Sequence, residues 1–374
     1  MTRPLFVHLG TSKSGTSSLQ AGIWNSVEAM AAAGVGLPFR TRGAHLDGLL
    51  RPLGWRPVDA FDGAVDEALL AGVPARLRET PGDLLLVTNE DLAEVGPSQA
   101  ARIVELASEA DLEVHLVLTM RGWADQIPSE YQQFIKHRMT LTYPEFLGDV
   151  RRHSDGSGGE WAERYWRRQD PGRILDAWAG LVPAERTHVI SVPPFKVDPD
   201  GVFRMMGEAV GFDDSVIERP TRALNSSYGV VEAEVWRRVN LALGDRLPDF
   251  VRDYGRNVRY PFVLGSLPTQ ASARFTLPPE ELGWVTEYAQ RSIDELRSRA
   301  YVVHGDLDGL LPREGVAKPL VVPTTEEVAE AAVKLVADFA VYTSGRVERI
   351  RAQGHAQGRA SAEAEKPRRR RWLR

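Results

Sequence analysis

At 374 residues, with 43% hydrophobic and 26% charged residues, the chain has the composition of a globular protein of one large or two ordinary domains. No apolar run approaches the roughly 18 residues of a membrane span, and a net charge of −5 argues against general nucleic-acid binding. With no cysteine there is no disulfide framework, thiol nucleophile or thiolate metal site, and the first strand starts too early to leave room for a signal peptide, so a cytoplasmic enzyme is expected.

The first predicted element carries most of the chemistry. An apolar run at 4–9 ends directly in Gly10-Thr11-Ser12-Lys13-Ser14-Gly15-Thr16-Ser17-Ser18, and the segment 16–33 that follows suits a helix. A strand that breaks into a glycine-bounded, hydroxyl-rich loop and then a helix is a phosphate cradle, because loop N–H groups and the positive helix end converge on one anion. Gly10 and Gly15 permit the turn, the hydroxyls of Thr11, Ser12, Ser14, Thr16, Ser17 and Ser18 donate, and Lys13 adds a point charge. Only six of the 46 basic residues are lysine, so one in mid-loop draws notice. In the nucleotide-triphosphatase frame GxxxxGK[ST] the lysine follows the second glycine. Here it stands two residues before Gly15. The plainer reading of the same residues is a turn followed by a helix cap.

Three further apolar runs, 83–88, 113–119 and 187–192, read as buried parallel strands. Helical stretches at 60–78, 98–110, 126–150 and 172–181 lie between them, so the strands are joined by right-handed crossovers. The expected class is α/β: a P-loop-type parallel sheet of four to five strands flanked by helices. Its C-terminal half is mainly helical, at 202–210, 229–243, 280–301 and 325–351, with 268–279 a loop. Residues 153–159 read as a mobile loop. The Trp161–Trp166 stretch that follows reads as a helix packed through its tryptophans, or as the lining of a substrate entrance. One α/β domain over 1–320, a helical extension over 321–353 and a basic, disordered tail over 354–374 are expected; the Arg-rich tail end is able to touch acidic surfaces.

Ligands of open α/β sheets gather at the carboxyl ends of the strands. The third run ends in Arg121, and Ser129 follows eight residues later, near the start of the next helix. A guanidinium and a hydroxyl so placed suit a second phosphate, although a salt bridge and a helix cap would use the same residues. The second run ends in Glu90-Asp91, which is either a site carboxylate or a first-turn charge. His8, His115 and His188 sit inside strands and read as core residues.

The loop frame GxxKxGTS and the Arg121–Ser129 pair, in this order, resemble the 5'-phosphosulfate and 3'-phosphate elements of sulfotransferases that use 3'-phosphoadenosine 5'-phosphosulfate (PAPS). The resemblance is to the bacterial branch and covers about residues 1–315. Glu90, His45, Gln132-Gln133 and Asn225-Ser226-Ser227 are similar to actinobacterial members. It implies transfer of a sulfuryl group from PAPS to a hydroxyl or amine of a small-molecule or glycan acceptor, with Lys13 answering charge on the donor and no metal. Glu90 matches the general base of the carbohydrate-modifying branch; His45 competes, since the animal cytosolic enzymes employ a histidine. The C-terminal RxGxxGxWK element of those enzymes is absent. The rival expectations are a P-loop kinase or NTPase with magnesium on Glu90-Asp91, and a catalytically idle nucleotide-binding protein on the same fold.

Overall fold

The computed structural model describes residues 2–56, 61–153, 157–220, 228–264 and 272–364. It is an α/β structure built on one six-stranded, wholly parallel sheet: β1 (Arg3–His8), β2 (Val35–Gly36), β3 (Leu84–Thr88), β4 (Leu112–Met120), β5 (Thr187–Ser191) and β6 (Val302–His304), in the order β2-β3-β1-β4-β5-β6. Six strands replace the expected four to five. The additional ones, β2 and β6, are two and three residues long, too short to carry a periodic signal.

Alternation along β1 explains why both faces of the sheet are covered. Leu5 and Val7 enter one core with helices Pro97–Glu109, Trp123–Ile135, Tyr143–Arg152 and Leu282–Ser298, whereas Phe6 enters a second core with Leu19, Ile23, Phe203 and Met206. Successive strand side chains point to opposite faces, so a buried parallel strand needs apolar residues at every position. Burying each such side chain contributes about 1.5–3 kcal/mol.

Three expected helices are divided, the segment 60–78 into Glu67–Leu70 and Val73–Glu79. The segment 16–33 forms Thr16–Asn25 and Val27–Ala32, with Ser26 between them. The segment 126–150 forms Trp123–Ile135 and Tyr143–Arg152. Arg138 takes a left-handed φ of 77° in that break, and its guanidinium donates to the carbonyls of Leu247 and Arg246. Thr142 and Glu145 then restart the chain through a capping box.

Beyond β5 the regular elements of the described chain are helices, apart from β6 and an isolated antiparallel bridge between Gly229 and Arg274. The expected 325–351 helix runs on as Thr325–Ala364 and packs on helix Val230–Leu243. The basic residues 365–374, the loop residues 154–156, part of the 268–279 loop and Asn225-Ser226-Ser227 lie outside the described residues. Among the described residues no helix is long and apolar enough to cross a membrane.

Candidate functional site

The order of the strands determines the site. β1 is central, with β3 on one side and β4 on the other, so the loop after β1 opens between their carboxyl ends. His8 ties the three ends together: its ring pairs with the hydroxyls of Thr88 on β3 at 2.8 Å and Thr119 on β4 at 3.1 Å. Burial holds this imidazole down at about 4, so it is a neutral bridge with one donor and one acceptor nitrogen.

The loop is anchored by its own residues from below. The N–H of Thr11 donates to the Thr119 carbonyl at 2.8 Å, and the Ser14 hydroxyl donates to the Thr11 carbonyl at 2.7 Å. Two buried amides, Gln126 and Gln169, both donate to the Ser12 carbonyl, at 2.7 and 3.0 Å, and Gln126 also donates to the Thr11 hydroxyl. Thr11 and Ser14 thus spend their hydroxyls on the surrounding fold and the loop backbone, whereas Ser12, Lys13, Thr16 and Ser17 line a cavity of about 500 Å³. Ser18 bonds back to the Gly15 carbonyl through its N–H.

Three features leave the loop with free donors at a helix start. Gly10 and Gly15 have φ of 54° and 90°, and a Cβ on Gly10 would stand 2.4 Å from Thr16 Cγ2. Lys13, which has a Cβ, is held at φ 66°, a left-handed conformation that costs about 1–3 kcal/mol and persists where surrounding structure over-determines it. No acceptor among the described residues takes the backbone N–H groups of Lys13, Gly15, Thr16 or Ser17. Such free donors at a helix start are the physical basis of phosphate binding.

Burial lowers the Lys13 ammonium, with Arg168 and Arg121 adding to the effect and Glu130 and Glu90 opposing it. Glu130 is itself fully buried on helix Trp123–Ile135, its Oε1 accepting from Gln169 at 3.1 Å. The same Gln169 therefore spans the loop and the carboxylate that supports Lys13.

Glu90 and Asp91 follow β3 and line the cavity with Lys13. Arg42 sits 3.8 Å from a carboxylate oxygen of each. For Glu90, burial would raise the pKa, but Arg42, its own N–H, Gln20 and Arg168 together hold it below the usual carboxylate range. Burial and the neighbouring Glu90 charge instead push Asp91 up to about 7. Of two adjacent carboxyls, Glu90 is the one held as the base form. Its Oε2 is buried without a hydrogen-bond partner among the described residues.

His45 does not join this arrangement. Its ring is fully buried between Trp24 and Phe39, at centroid distances of 5.6 and 5.2 Å. Nδ1 pairs with the Thr41 carbonyl at 2.9 Å, and Nε2 accepts the Thr88 N–H at 3.3 Å, so both nitrogens are spent inside the fold. Burial lowers its pKa to about 4.

Arg121 and Ser129 lie together beside the loop but outside the 500 Å³ cavity. Asp125 connects them: its carboxylate is 3.7 Å from Arg121, and its carbonyl accepts the Ser129 hydroxyl at 3.0 Å. Arg121 Nε is buried without a partner among the described residues. Arg313 reaches the same carboxylate at 2.7 Å from the segment after β6, which places a second guanidinium where the sequence offered no recognisable motif.

Helix Glu160–Gln169 contains both readings of the aromatic–basic stretch. Tyr165 and Trp166 are buried in the core, with Trp166 donating to the Val150 carbonyl at 2.9 Å. Arg164, Arg167 and Arg168 line the cavity. Among the described residues no group of three or more His, Cys, Asp or Glu side chains is placed to hold a metal ion.

No family model matches this chain, and no curated protein matches it. Among solved structures it is similar to a sulfotransferase from Alicyclobacillus acidocaldarius, at 17% identity and a TM-score of 0.39, over 68% of this chain and 96% of that one. A likeness that distant carries no argument about activity.

Proposed function

We propose that this protein transfers a sulfuryl group from PAPS to a hydroxyl or amine of an acceptor that enters the 500 Å³ cavity. The observation that carries the reading is Lys13, strained into a left-handed conformation inside a cradle of free N–H groups and lining one cavity with a charged Glu90. The donor, bound with its phosphosulfate on residues 10–18 and its 3'-phosphate toward Arg121 and Ser129, supplies the sulfuryl group. Lys13 and the N–H groups of Gly15, Thr16 and Ser17 are placed to meet the negative charge that develops where the S–O bond breaks. Glu90, which lines the same cavity, takes the acceptor proton. Such a reaction needs mainly positioning and preorganised electrostatics.

The residues fit a second anion as well as a first. Arg121 has an unsatisfied buried Nε, and Arg313 flanks the same Asp125. Adenosine 3',5'-bisphosphate is therefore expected to bind far more tightly than AMP in calorimetry. Loss of one charged hydrogen-bond partner costs roughly 1.5–3 kcal/mol, so Arg121→Ala should erase much of that preference while leaving AMP affinity nearly unchanged. Equal affinity of the unmodified protein for both nucleotides would remove the reading's support at the 3'-phosphate.

One observation favours phosphoryl transfer as the second reading: Glu90 Oε2 and Asp91 Oδ2 are both buried without hydrogen-bond partners among the described residues, a pair of oxygens that a magnesium ion would use. The same calorimetry separates the two, because that reading requires nucleotide binding to depend on magnesium and to favour ATP.

A further inference from the structure

The cavity contains more positive charge than a donor phosphosulfate uses. Most of its guanidiniums have local counter-charges: Arg42 lies against Glu90 and Asp91, Arg167 against Glu94 at 3.0 Å, and Arg164 against Glu160 at 2.6 Å. Lys136 and Arg259 do not. Lys136, at the end of helix Trp123–Ile135, lies over the Tyr228 ring at 4.6 Å, and Arg259 lies 5.8 Å from the Phe250 ring centroid. Neither has a carboxylate partner among the described residues, and both line the cavity with Lys13.

These cations also act on one another. Burial lowers Lys136 to about 7, and the nearby charges of Lys13 and Arg259 push it the same way, against the opposing charge of Glu130. Arg259 is lowered by burial too, with Arg42 adding to the effect. Cations withdrawn from water with no carboxylate in direct contact are costly unless an anion joins them. On the sulfuryl-transfer reading the phosphosulfate takes the glycine-loop end of this cavity and the 3'-phosphate lies beside Arg121, outside it, which leaves Lys136 and Arg259 for another anion.

We propose that the acceptor itself is anionic, bearing a carboxylate, sulfate or phosphate group that Lys136 and Arg259 receive while its hydroxyl or amine faces Lys13 and Glu90. The proposal rests on the sulfuryl-transfer reading and gives that reading its acceptor class. Phe250, half-exposed Tyr260 and Val251 form the adjoining wall, an apolar surface for the uncharged body of such a molecule.

The test uses the full chain saturated with adenosine 3',5'-bisphosphate, so that the donor site is filled. Phenyl β-D-glucoside, phenyl β-D-glucuronide, and the 6-sulfate and 6-phosphate of the glucoside are compared by ligand-observed NMR. At least one anionic probe should bind about tenfold or more tightly than the neutral glucoside, the range expected of a charge-assisted hydrogen bond. Lys136→Gln combined with Arg259→Gln should bring that ratio to within about threefold, while nucleotide affinity changes little because the donor's anions contact other residues. Anionic probes that bind no better than the neutral one, undetectable binding throughout, or a preference that survives the double substitution would each overturn the proposal. Failure of the nucleotide to bind would count against the sulfuryl-transfer reading instead; the probe series run without nucleotide still measures the charge preference of the two residues.

Discussion

Lys13→Ala is expected to lower turnover with PAPS on the order of 100-fold or more, the loss typical of removing one preorganised electrostatic group. The expectation follows from where the side chain is and from what it does not hold up. Loop anchoring runs through the Thr11 N–H, the Ser12 carbonyl and the Ser14 hydroxyl, none of which involves the Lys13 ammonium. Alanine carries the same Cβ into the same left-handed backbone, so the strain is shared by both proteins and the cradle of N–H groups survives. Affinity for adenosine 3',5'-bisphosphate should therefore fall much less than turnover, since the charge that Lys13 answers develops during reaction. Steady-state kinetics beside calorimetry read the two effects separately. Near-normal turnover would mean that Lys13 does not act on the reacting group, and the loop assignment would fail.

Glu90→Gln is the second large effect. The amide keeps shape and hydrogen-bonding capacity near Arg42 and Gln20 but cannot accept a proton, so the variant should bind nucleotide normally and turn over roughly 100-fold or more slowly. The pH profile adds an independent check. A base works only when deprotonated, so activity is lost as pH falls through its pKa. Because Arg42 and neighbouring donors outweigh burial and hold Glu90 below the usual carboxylate range, the acid limb of kcat belongs well below neutrality. A limb near pH 7 would point to Asp91, which burial and Glu90 raise to about 7. His45→Ala is the matched control. With both ring nitrogens spent inside the fold, it should lower the melting temperature and leave the chemical step comparatively intact. An active Glu90→Gln protein beside an inactive but folded His45→Ala protein would reverse the assignment.

The glycine-bounded loop was legible because its signal is local: strand, glycine, hydroxyls, lysine and helix start occupy fifteen contiguous residues. The long strands were legible for the same reason, as continuous apolar runs. What escaped is what only tertiary structure brings together. Gln126 and Gln169 converge on the Ser12 carbonyl from helices far apart in sequence, and nothing in either local stretch marks a glutamine that clamps a loop. Arg313 is 188 residues from the Asp125 carboxylate it meets. Strands β2 and β6 are set by pairing with β3 and β5, which two or three residues cannot announce. The unequal fates of Glu90 and His45 depend on packing: both lie near the end of β3, but only Glu90 lines the cavity.

Sulfuryl transfer itself is tested most directly by incubating the protein with sulfur-35-labelled PAPS and a mixed panel of anionic and neutral hydroxyl and amine acceptors, and following the label by mass-resolved chromatography. The account predicts label in an acceptor together with stoichiometric release of adenosine 3',5'-bisphosphate, without added magnesium and lost in Lys13→Ala. Magnesium-dependent transfer of phosphate from ATP to the same panel, with no sulfur transferred from PAPS, would contradict it.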